Sequence, residues 1–133
     1  VLREGSDVTI LSSGIMVAEA LKAAELLEKQ QIRAEIINIH TIKPLDTRLI
    51  IESAAKTGCV VTAENGSIYN GLGSAAAECL AEHLPRPMKR IGVQDCFGQI
   101  GHVEELLNAF HMAAEDIAAA AAELVRNKEK GGL

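Results

Sequence analysis

The stretch Val60–Glu82, VVTAENGSIYNGLGSAAAECLAE, limits this chain to a narrow set of folds. It reads as a buried strand, a glycine-bearing loop and a helix of small residues. Val60 and Val61 suit the middle of a sheet, and Glu64 is expected where the strand leaves the core for solvent. Asn65-Gly66 and Asn70-Gly71 supply residues that tolerate positive φ. Ser74, directly after Gly73, is the expected N-cap of the helix, with Glu78 one turn further in. A strand feeding a helix through glycine leaves N–H groups free at the carboxyl end of a sheet, where open α/β proteins bind ligands.

The rest of the chain repeats the strand and helix alternation. Asp7–Ser12 is expected as the first strand, broken by Ser13-Gly14. From Ile15 to Gln30 apolar residues recur at Met16, Ala20, Ala23, Ala24 and Leu27, the spacing of an amphipathic helix. Ala34–His40 follows as a second strand. Pro44 holds Lys43 out of the helical region, Asp46 is a good N-cap for a helix over Thr47–Thr57, and Gly58 ends it. Cys59–Ala63 is the third strand. Pro85-Arg86-Pro87 enforces an extended connector into Met88–Val93, the fourth. A loop over Asp95–His102 and a short helix over Val103–Phe110 come next. A final helix over Ala113–Lys128 carries Glu115 and Asp116 at its positive end and Arg126 and Lys128 at its negative end. Its run Ala118–Ala122 suits close packing on another helix, and alanine is also the best helix former. The pattern predicts a mostly parallel sheet with helices on both faces, one domain over residues 1–128 and a frayed tail over 129–133.

Composition narrows the function. At 133 residues and 48% apolar the chain suits one packed core, and a net charge of −5 spread through helices argues against nucleic acid as a partner. Tyr69, Phe97 and Phe110 are the whole aromatic complement, too few for a base-stacking surface. Cys59, Cys79 and Cys96 match neither a redox pair nor a zinc site and read as reduced, buried thiols of a cytoplasmic protein. No apolar run reaches the roughly 18 to 20 residues of a membrane span. Val1 in place of an initiator Met suggests a processed product or a piece of a longer polypeptide, either a natural split subunit or an excised one.

The chemistry-bearing residues form no self-sufficient catalytic set. After the first strand the chain offers Ser12-Ser13-Gly14 where a dinucleotide site needs G-x-G-x-x-G, although that turn could hold a phosphate on its N–H groups. His40, His83, His102 and His111 make no i, i+4 pair, so no metal site is expected. Glu64 has no His, Lys or Ser partner in sequence, and is expected to accept hydrogen bonds from the glycine loop or from another subunit. No nucleophile elbow and no activated cysteine is present.

Five motifs in order carry a resemblance: Ile39–Asp46 (IHTIKPLD), Val61–Asn65 (VTAEN), Asn70–Ala75 (NGLGSA), Asp95–Gly101 (DCFGQIG) and Ala114–Ile117 (AEDI). Each is weak alone, but in register they are similar to the C-terminal domain of transketolase-like, thiamine-diphosphate-dependent enzymes over about Asp7 to Val125. Phe97-Gly98 and the Thr41–Asp46 motif resemble transketolase more than the related deoxyxylulose-phosphate synthases or 2-oxoacid dehydrogenase beta subunits, which stand as alternatives. Among transketolases the chain looks most like the C-terminal half of a split bacterial enzyme. It departs from the pattern at Asn70, where a first glycine is usual, at Ile100, where a serine is common, and at His111-Met112, in place of a Tyr/Phe-Gly break.

The resemblance implies a three-layer αβα fold, with a five-stranded, mostly parallel sheet whose first strand runs antiparallel. It implies that thiamine diphosphate and magnesium are held by the two preceding, pyrophosphate- and pyrimidine-binding portions across a dimer interface, and that this chain binds neither. No catalytic residue is carried over. The implied role is an assembly and dimerisation domain, inactive alone, of an enzyme of the pentose phosphate pathway that transfers a two-carbon ketol unit between sugar phosphates. Glu64, Asn65, Asn70, Gly71, Gly73 and Ser74 are the candidate contact or anion-binding positions. The other reading is a free-standing or regulatory module that binds a small anionic metabolite at a helix N-terminus.

Overall fold

The computed structural model describes residues 1–40, 45–67, 71–93 and 113–130. Thr41–Pro44 of the Pro44 motif, Asn70, the loop and short helix expected within residues 94–112 with Cys96, and the tail 131–133 lie outside the described residues. The element order is β1 (Val8–Ser12), α1 (Met16–Glu28), β2 (Ala34–Asn38), α2 (Thr47–Thr57), β3 (Val60–Ser67), α3 (Leu72–His83), β4 (Met88–Val93) and α4 (Ala114–Glu129).

The described strands form one sheet in the order β2-β1-β3-β4, and all three pairings are parallel. In register, Ile10 lies between Ile36 and Val61, and Val60 lies beside Met88. β1 is buried at every position, as a central strand covered on both faces must be. An antiparallel element is also present, reduced to one bridge between Arg3 and Ile36. The antiparallel partner is therefore the segment ahead of β1, while β1 itself is parallel.

Side-chain alternation along the strands splits the core into two layers. Val8, Ile10, Ile36, Val61 and Ala63 meet Met16, Leu27, Ile117 and Leu124 on the face covered by α1 and α4. Leu11, Ile37 and Val60 meet Ile50, Leu72 and Leu80 on the face covered by α2 and α3. β1 leads through α1 to β2 on one side, and β2 leads through α2 back past β1 to β3. That crossing puts α1 and α2 on opposite faces and produces the three layers.

Local signals place the helix ends. Asp46 caps α2 by accepting the Leu49 N–H at 3.2 Å, and Gly58 closes it in the left-handed region at φ 84°. In α4 the Asp116 carboxylate accepts the Ala113 N–H at 3.0 Å, half of a capping box. Lys128 does more than face its own helix's negative end. Its Nζ donates to Thr57 O at 2.6 Å and to Asp7 O at 2.7 Å, tying α4 to the C-terminus of α2 and the entry to β1.

The α2 face also carries a buried polar cluster that the sequence pattern does not announce. Glu35, 3% exposed on β2, accepts from Ser53 Oγ at 2.6 Å and from Lys56 Nζ. The Thr9 hydroxyl lies 2.7 Å from both Ser53 Oγ and Thr57 Oγ1. Burial pushes the Glu35 carboxyl up, but hydrogen bonds from Lys56, Ser53 and the Gly5 N–H, with the Lys56 charge, outweigh it and hold it below the usual 4.5. A depressed folded-state value stabilises the fold above the unfolded carboxyl's pKa, and the stability is lost as pH falls through the folded value. Urea unfolding of the Glu35→Gln chain should therefore depend less on pH below about 4.5 than that of the parent.

Candidate functional site

β3 runs past its expected end, through residues 64–67, and this changes the place of Glu64. The side chain does not leave the core for solvent: it is 4% exposed and turned under the start of α3. Its Oε2 accepts the Leu72 N–H at 2.6 Å and its Oε1 accepts the Gly73 N–H at 2.9 Å. These are two of the N–H groups that a helix start leaves without intrahelical partners, and the negative carboxylate sits at the positive end of the dipole.

The two glycines make room for it. A Cβ on Gly71 would stand 2.1 Å from Glu64 Oε2, and one on Gly73 would stand 3.2 Å from Oε1. Gly71 takes the N-cap position with φ −110°, and no side chain caps α3 locally. Ser74 is thus inside the first turn and is not the N-cap that its residue type suggests. A glutamate seven residues upstream of Gly71 caps the helix across the loop, a signal that a search confined to neighbouring residues misses. Asn65 lies on the backbone of β3, and Asn70 falls outside the described residues.

Thr62 lies one step down the same face, fully buried, with its hydroxyl 3.1 Å from the place a Gly73 Cβ would take. Among the described residues that hydroxyl has no hydrogen-bond partner. A buried hydroxyl without a partner costs about 1 to 3 kcal/mol. Thr62→Val, which keeps the shape, is expected to raise stability by about 1 kcal/mol in urea unfolding.

The other candidates are engaged within the fold. At the β1–α1 turn the Ser13 N–H donates to Ala63 O at 3.2 Å, and Ser12 Oγ donates to Ile37 O at 3.4 Å. The Ser13 N–H is therefore not free for a phosphate at that turn. Cys59 and Cys79 are free and buried, and burial pushes both thiols up, with the Lys128 charge opposing it at Cys59 and Glu82 adding to it at Cys79. Among the described residues no three His, Cys, Asp or Glu side chains gather as a metal ion requires, and no helix is long and apolar enough to cross a membrane.

The sequence matches the family described as transketolase, C-terminal domain, over residues 1–117. The chain belongs to the transketolase C-terminal domain family. It is 57% identical over 127 residues to the 6-deoxy-6-sulfo-D-fructose transketolase subunit SqwH of Clostridium sp. (strain MSTE9), covering 96% of this chain and 39% of that subunit. It is 44% identical to a 1-deoxy-D-xylulose-5-phosphate synthase of Heliobacterium modesticaldum over 92% of this chain and 19% of the synthase. A solved split-gene transketolase, described as an inactive beta4 tetramer, superposes with TM-score 0.88 at 45% identity over 95% of this chain and 40% of that one. A transketolase from Pichia stipitis shares the fold, with TM-score 0.62 and 20% identity over 91% of this chain and 16% of that one. The family domain thus spans two fifths or less of the length of these relatives.

Proposed function

We propose that this chain is the non-catalytic assembly domain of a transketolase-type, thiamine-diphosphate-dependent enzyme, inactive by itself and active when joined to the pyrophosphate- and pyrimidine-binding portions. The observation that carries the proposal is the coverage: nearly all of this chain aligns at 57% identity with 39% of a transketolase subunit. The fold supports it, because among the described residues the buried carboxylate at the carboxyl end of the sheet, Glu64, is engaged in capping α3. In this reading the domain acts in the cytoplasm and helps to hold a homodimer, and the other portions bind thiamine diphosphate and magnesium. The cofactor supplies the electron sink for moving a two-carbon ketol unit. This domain contributes by holding the geometry in which the two portions meet.

The donor follows from the relatives' chemistry. The identity with SqwH favours a ketose bearing a terminal anion, either a phosphate as in the pentose phosphate pathway or a sulfonate as in 6-deoxy-6-sulfo-D-fructose. The test is ketol transfer by the cofactor-binding portions with and without this chain, using both donors. Activity that depends on the added chain is expected. Equal activity without it would sink the assembly role, and formation of 1-deoxy-D-xylulose 5-phosphate would move the enzyme towards the synthases.

A further inference from the structure

We draw no further inference here: the strongest candidate, the groove between β4 and α4 lined by Lys89, Ile91, Ala119 and Glu123, has its Lys89 and Glu123 charges paired with each other, and nothing in the structure shows what covers it.

Discussion

Gly71→Ala is expected to destabilise the domain by about 2 to 3 kcal/mol, and to do so only while Glu64 is present. The added Cβ would lie 2.1 Å from Glu64 Oε2, and its three nearest atoms all belong to that carboxyl group. A side-chain end can usually swing away, but this one is pinned by the Leu72 and Gly73 N–H groups. Moving it breaks two charge-assisted hydrogen bonds in a buried site, each contributing about 1.5 to 3 kcal/mol. Glu64→Ala should cost about 3 kcal/mol for the same reason, since it leaves both N–H groups without the carboxylate. Glu64→Gln should fall between, because one of its two terminal atoms cannot accept. The decisive measurement is a double-mutant cycle in urea. With Glu64→Ala in the background, Gly71→Ala should become nearly neutral. Equal costs in both backgrounds would mean that the glycine serves the backbone and not the carboxylate.

That cycle also marks where sequence reasoning stopped. The Asp46 cap, the Gly58 stop and the strand over Met88–Val93 were legible because each depends on residues adjacent in sequence. Glu64 was legible as a residue that accepts from the glycine loop, yet its burial was not. The reason is that a carboxylate is read as solvent-facing unless its partners are known, and these partners are main-chain groups with no residue signature. The same blindness hid the Glu35 cluster, in which Thr9, Ser53 and Thr57 are polar residues at core positions that make sense only once α2 lies over β1 and β2. Ser74 misled for the opposite reason: a good capping residue stood within the first turn of a helix already capped from a distance.

The second large effect belongs to α4, where two substitutions of opposite sign in volume should both be costly. Ile117 is fully buried between α1 and the sheet, and Ile117→Ala should cost about 3 kcal/mol by lost transfer energy and the cavity left behind. Ala121 is also fully buried, in the layer that holds Ala20, Ala23 and Ala24 of α1. The run Ala118–Ala122 therefore packs on a helix of its own domain, with Ala119 left at the surface. Facing alanines let α1 and α4 approach closely, so Ala121→Leu must either separate the helices or take a strained rotamer, costing about 2 kcal/mol or more. Ala119→Leu, on the open side, should change stability by less than about 0.5 kcal/mol. For a domain of this size each kilocalorie should move the melting temperature by about 4 °C, so thermal unfolding separates the three outcomes. If Ala121→Leu melts with the parent while Ala119→Leu melts early, the buried and exposed faces of α4 are exchanged, and the close approach of α1 and α4 cannot be what the alanines serve.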